Sequence, residues 1–228
     1  VSKRGGTLRW VTYLSPSGGG ARAGALDDGD VMGSPGTRSL GELLEGGNDA
    51  LAAAHERAVD GAIEIIVEPE ARMCAPVAPT APVSVRAGDR VFEIGPELVR
   101  GVDDAVAPEA RSARVGVAAL AGGSGPTSAY TPACLWLDEA GEPVELILGP
   151  VLTTADDLSG DAVELSTSVD DRENGRGRVA PGHDWLVSGP GRVRALLPVA
   201  TPALEADDEL FVDAGELGTY EVRVGSQV

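Results

Sequence analysis

The chain has 228 residues, 43% of them hydrophobic and 4% aromatic, with 36 acids against 18 bases and a net charge of -18. That is enough apolar material for one large domain or a domain with a small appendage, and too negative a surface to suit nucleic acid or an anionic membrane. No apolar run approaches the ~18 residues a membrane helix requires. The start VSKRGGTLRWVTY lacks the apolar core of a signal peptide, so a cytoplasmic protein with neither nucleic acid nor membrane as partner is expected.

Val, Leu and Ala dominate the apolar set, and 31 glycines with 16 prolines supply many turns, a mixture that suits strands. Residues 8–32 alternate Leu8, Trp10, Thr12, Leu14, break at a Gly-rich turn, and resume at Ala21, Ala23, Ala25 before Asp27-Asp28-Gly29. This pattern predicts a hairpin and a return strand. Over 40–58 the period lengthens: Leu40, Leu43 and Leu44 share a face behind Ser39 as N-cap, and Gly46-Gly47 with Asn48 as a second cap divides the stretch into two short helices. Pro76, Pro79 and Pro82 make CAPVAPTAPV irregular. The division expected is a small hairpin-and-helix domain at 1–73, a linker at 74–83 and a body at 84–228.

The body reads as strands. DRVFEIGPELV begins as one and breaks at Gly95-Pro96, and SARVGVAALAGG is a buried one. Two more flank the turn Glu139–Glu142. Val163, Leu165, Thr167 and Val169 alternate inward before a turn placed at Asn174-Gly175. GRVRALLPVATP adds a strand, and two lie around Gly215. In LGPVLTTADDL, residues 148–158, the apolar half pairs within the sheet and Asp156-Asp157 turns into solvent. The fold class is mostly β (α+β), the body a roll or barrel.

In order, LRWVTY, ARAGALDDGDV, LGELLEGGNDALAAA, CAPVAP, LGPVLTTADDL, ELSTSVDDRENGR and DELFVDAGELGTYEVRV make the chain resemble the fumarylacetoacetate hydrolase family over 8–83 and 148–228. The resemblance implies a small N-terminal domain before a β-roll, a homodimer paired through the roll, and C–C hydrolysis, decarboxylation or isomerisation of a carbonyl compound. It also implies Mg²⁺, Mn²⁺ or Ca²⁺ held by a Glu-x-Glu pair and a later Asp, hard oxygen ligands for a Lewis acid, with a His to activate water and a Lys for the oxyanion. This sequence departs from that set. Glu93-Ile94-Gly95 has glycine in the second position, although Glu97 follows the proline; residues 112–130 hold no acid; no His lies between 83 and 100; and Lys3 is the only lysine.

The expectation is therefore an enzyme that keeps the architecture and works without metal or other cofactor. It would act as an isomerase, cyclase or lyase on an enolisable or polyunsaturated carbonyl compound, within bacterial secondary metabolism. The alternatives are a non-catalytic homologue that binds a partner, and a metal-dependent hydrolase or decarboxylase with a rearranged site.

Glu93 and the pair His183-Asp184 are the candidates for proton transfer, imidazole because it titrates near neutrality. Trp185 would form an apolar wall, and Arg86 and Arg114 would hold a substrate carboxylate. The pocket is expected inside the roll, among Val and Leu. His55 reads as a helix-surface residue, Cys74 and Cys134 as small buried hydrophobes. GGSGP at 122–126 lacks the lysine and helix of a phosphate loop. Asp138, Glu139, Glu142 and Glu145 read as a solvated hairpin tip.

Overall fold

Alternation in the first 33 residues produces three antiparallel strands, β1 (Arg9–Leu14), β2 (Arg22–Asp27) and β3 (Asp30–Gly33). The structure, a computed structural model, describes residues 7–122, 127–158, 160–180 and 191–225. β2 and β3 meet at Asp28-Gly29, whose φ values of 50° and 85° are those a two-residue hairpin turn needs. α1 (Leu40–Glu45) opens on a complete capping box: Ser39 Oγ accepts from Glu42 N at 3.3 Å, and the Glu42 carboxylate accepts from Ser39 N at 2.8 Å. α2 (Gly47–Asp60) starts from Gly46 rather than from Asn48. Asn48 lies in its first turn, where its amide donates to Asp156 Oδ2 at 2.6 Å. β4 (Ile65–Val67) and β5 (Arg72–Cys74) complete this part. No described helix is long and apolar enough to cross a membrane.

Residues 75–82 carry no regular element. Val83, Val85 and Ala87 then bury one face of β6 (Val83–Ala87), which hairpins into β7 (Arg90–Ile94). After β8 (Val99–Arg100) come β9 (Ser112–Ala121), β10 (Thr127–Leu137), β11 (Pro143–Leu148) and β12 (Val151–Thr154). β13 (Val163–Val169), β14 (Arg172–Val179), β15 (Val193–Ala200), β16 (Glu209–Asp213) and β17 (Thr219–Arg223) follow. Among the described residues they form a long sheet in the order β4-β3-β2-β1-β12-β10-β9-β15-β6-β7 and a small one in the order β14-β13-β16-β17.

β9 is buried on both faces, which explains its unbroken apolar run. Val115, Val117 and Ala119 face a core shared with the small sheet, including Leu165, Leu210 and Val222. Ala118 and Leu120 face a second core with α1, α2 and β6. Small side chains let both layers approach the strand.

LGPVLTTADDL joins the N-terminal strands to the body. β12 pairs with β1 in the register Trp10↔Leu152 and with β10 in the register Tyr130↔Thr153. Its acidic end is not wholly given to solvent as expected. Asp156 is exposed, but Asp157 Oδ2 turns in to accept from Leu8 N at 3.2 Å and from the Thr154 hydroxyl, tying down the entry to β1.

One turn falls elsewhere than expected. β13 and β14 are joined at Asp170-Asp171, with φ of 46° and 63°, whereas Asn174-Gly175 lies inside β14. Asn174 is the extra residue of a bulge, since Thr167 pairs with Gly175 and Ser168 with Glu173. Its side-chain oxygen accepts from Thr167 Oγ1 at 2.6 Å. Val199 of β15 is why glycine stands here: a Cβ at Gly175 would be 2.6 Å from Val199 Cγ1, and one at Gly177 2.5 Å from Val199 Cγ2. The two sheets touch through bare backbone.

Candidate active site

The proline-rich segment crosses the end of β1, where Thr12 Oγ1 donates to Pro76 O at 2.8 Å. On its other side β8 pairs in parallel with β11, Val99 opposite Leu146 and Arg100 opposite Ile147. Between these walls and the start of α1 lies a cleft of about 420 Å³, with Thr12, Leu40, Cys74, Pro79, Arg100 and Asp104 on its lining. Most of the remaining lining is Ala, Val and Pro, so the cleft is apolar with a few polar groups, the usual form of a small-molecule site.

The polar groups are held by short local contacts. Arg100 Nη1 donates to Glu97 O at 2.6 Å and to Val99 O at 3.0 Å. Asp104 Oδ2 accepts from Gly101 N at 2.8 Å, and its Oδ1 lies 3.6 Å from Arg72 Nη2. Arg22, also on the lining, is paired with Glu64 at 3.1 Å. Glu64 further accepts from Tyr13 Oη and Ser15 Oγ, and the Ser15 hydrogen bond first of all holds its carboxyl below the usual range. Tyr13 is pushed up by burial and by that carboxylate.

Asp103, next to Asp104 in the chain, and Glu145, within reach of the Arg100 charge, are half-buried carboxyls raised above their ordinary values. Burial raises Asp103 against the hydrogen bond it accepts from Met73 N, and raises Glu145 against the one from Ala107 N at 3.0 Å and the charge of Arg100. Glu145 is thus not part of a solvated tip, although Glu139 and Glu142 are exposed. The Cys74 thiol is pushed up by burial too.

The residues singled out in sequence are not brought together here. Glu93 is exposed on β7 opposite Ser84, and Arg86 is exposed on β6 opposite Val91. Arg114 is half-buried on β9 near Gly88, and none of the three lines the cleft. His183, Asp184 and Trp185 lie outside the described residues. Val83, Val85, Leu135, Leu146 and Leu148 are buried together with α1 and α2 in the second core. His55 is not a free surface residue: it is half-buried, edge-on to Trp10 with centroids 5.7 Å apart, and its Nε2 is buried without a partner. Burial accordingly lowers its pKa. Arg100 and Asp104 escaped sequence reasoning because they sit in an irregular stretch with no motif, on a wall completed by residues far away in the chain.

The residues described do not suit the divalent ion that the resemblance implies. Among them, no three His, Cys, Asp or Glu side chains converge as such an ion requires. Glu93 stands exposed, and a Cβ at Gly95 would fall on the Glu97 carboxylate, which folds back over the glycine.

No protein-family model matches the sequence. No curated protein matches it either. Solved structures do. Fumarylacetoacetate hydrolase from psychrophilic Exiguobacterium antarcticum superposes with a TM-score of 0.77 at 16% identity, covering 97% of this chain and 100% of that one. Maleylpyruvate hydrolase from Sphingobium sp. SYK-6, in complex with manganese(II) and pyruvate, gives 0.76 at 15% identity over 97% and 100%. A probable 2-hydroxyhepta-2,4-diene-1,7-dioate isomerase from Mycobacterium abscessus gives 0.73 at 15% identity over 98% and 100%. Hydrolases and an isomerase therefore share this architecture, and the chain has the fold of the fumarylacetoacetate hydrolases.

Proposed function

We propose that the chain is an enzyme of the isomerase, cyclase or lyase type that acts without a metal on an enolisable or polyunsaturated carbonyl compound in the cleft beside α1. The observation that carries this reading is Arg100 and Asp104 facing one apolar cleft. The guanidinium holds the substrate's anionic oxygen, and the carboxylate takes a proton from the carbon next to the carbonyl. The enolate so formed is conjugated with any neighbouring double bond, and the same proton returned further along the chain gives the isomer. Apolar walls strengthen both interactions by excluding water. The names of the structural neighbours, a maleylpyruvate hydrolase and a dienedioate isomerase among them, support chemistry of this kind. A bacterial secondary-metabolite pathway is the setting we favour.

Exchange of the C3 protons of 2-oxobutanoate in D₂O, followed by ¹H NMR, tests the proposal. Exchange faster than buffer, unaffected by EDTA and reduced about 10²-fold in Asp104→Asn, is expected. Loss with EDTA and recovery with Mn²⁺ or Mg²⁺ would establish a metal-dependent enzyme instead. Binding without exchange would make the chain a binding protein. His183→Ala in the same assay separates that histidine from Asp104 as the group that moves the proton.

We also propose a homodimer. β4 ends the long sheet with Ile65 and Val67 more than half exposed, as is Ile63 just before it, and an uncovered apolar edge strand favours self-association. Light scattering at the dimer mass across micromolar concentrations is the expected result, and a monomer mass throughout refutes it.

A further inference from the structure

The cleft does not stop at α1. A second cavity of about 200 Å³ lies under the same helix, with Leu44, Leu120, Ala121 and Val193 as its apolar lining and Glu42, Glu45, Thr80 and Arg192 as its polar lining. Ser39, Gly41, Val77 and Ala78 line both spaces, so the two adjoin along one wall.

Gly41 is the anomaly on that wall. It lies inside α1, where glycine weakens a helix relative to alanine. Neither usual reason for glycine holds: its φ is not in the left-handed region, and the nearest atom to a Cβ there would be Ser39 Oγ at 3.9 Å. Packing and backbone would both accept a side chain. The position is open, and Gly41 borders both cavities.

The cleft carries charges of its own. In a chain with twice as many acids as bases, the charged residues on the cleft lining are Arg22, Arg100 and Asp104. Arg22 is offset by Glu64 and Asp104 by Arg72, whereas Arg100 is held through the backbone oxygens of Glu97 and Val99 with Glu145 only in electrostatic range, which makes it the anchor for an anion.

We propose that the site takes an elongated amphiphile, a monocarboxylate whose head pairs with Arg100 and whose apolar chain runs past Gly41 into the second cavity, with Gly41 as the residue that sets chain length. This rests on the functional reading above and names its substrate class. A short 2-oxo acid would fill only the head of the site. Burial of each added methylene should tighten binding about fourfold until the second cavity is full.

Calorimetric titration with hexanoate, octanoate, decanoate and dodecanoate, below micellar concentrations, tests it. In the wild type, Kd should fall steadily with length. Gly41→Leu should raise the Kd of dodecanoate at least tenfold more than that of hexanoate, with Gly41→Ala between the two, and neither should lower Tm. Arg100→Gln should weaken all four acids by a similar factor. As a readout independent of turnover, each acid should slow alkylation of Cys74, which lines the cleft. Length-independent affinity in the wild type, or a length dependence that survives in Gly41→Leu, would overturn the proposal. Proton exchange on 2-oxobutanoate with no length dependence sinks the substrate class alone. Length dependence without exchange sinks the catalytic reading and leaves a carboxylate-binding protein.

Discussion

Replacing Gly177 by alanine should destabilise the protein through one identifiable contact. The new Cβ would stand 2.5 Å from Val199 Cγ2, with Pro198 Cγ at 3.4 Å as the next atom. Val199 is 3% exposed and β-branched, so it cannot rotate out of the way. Overpacking of this kind costs about 1–3 kcal/mol, offset by about 0.4–1 kcal/mol from the lower entropy of the unfolded chain. The net loss, about 1–2 kcal/mol, lowers Tm by roughly 2–8 °C in a chain of this length. Val199→Ala alone should cost about 2–3 kcal/mol, the transfer energy of its methyl groups plus a cavity term. The double variant removes the clash, because the alanine Cβ occupies part of the space that Val199 vacates. It should lose at least 1 kcal/mol less than the sum of the singles. Urea unfolding followed by circular dichroism, at constant m-value, measures all four corners of the cycle. Additivity within about 0.5 kcal/mol would show that Gly177 is not there for the close approach of the sheets.

Glu93→Gln, exposed and outside the cleft, should keep proton-exchange activity within about threefold, while Asp104→Asn loses about 10²-fold; the reverse order would return proton transfer to Glu93. His55 sits below its ordinary 6.5 chiefly through burial, so its contribution to stability is intact above that pH and is lost as pH falls through the lower folded value. His55→Phe keeps a ring against Trp10 and cannot titrate, so its urea midpoint should change less between about pH 8 and 5 than that of the wild type; equal slopes would assign the acid loss to other groups. Both cysteines are free, Cys134 wholly buried and Cys74 half-buried, each with its thiol pushed up by burial. Iodoacetamide at about neutral pH should therefore modify Cys74 slowly and Cys134 only in denaturant; fast labelling of Cys134 in the native protein would contradict its place in the core.

The strands most legible in the sequence are those with one face in water. Val163, Leu165 and Thr167 are buried while Glu164 between them is exposed, and such alternation can be read directly. The capping box at Ser39 and Glu42 is equally local. Asn174-Gly175 misleads for the opposite reason. The dipeptide fits a hairpin turn, yet its glycine answers to Val199, and that approach has no trace in the neighbouring residues. Asp170-Asp171 supplies the turn instead, aspartate being among the few residues that tolerate positive φ. The site is least legible. Its walls come from residues 12–23, 39–41, 74–79 and 96–104, and the charged members lie where no periodicity marks an inward face.

The pairing of Arg9 with Thr153 has a consequence for how the chain is made. At about 5–20 residues per second, a ribosome would add β12 roughly 7–30 s after β1. Throughout that interval β1 has β2, and later β5, beside it, but the stretch Arg9–Val11 lacks its neighbour on one side. The bare stretch carries Trp10 and Val11, both fully buried in the finished protein. A fragment truncated after Met73 would stay in that state permanently, so it should collect in inclusion bodies, while in the complete chain the stretch is covered once β12 has been synthesised.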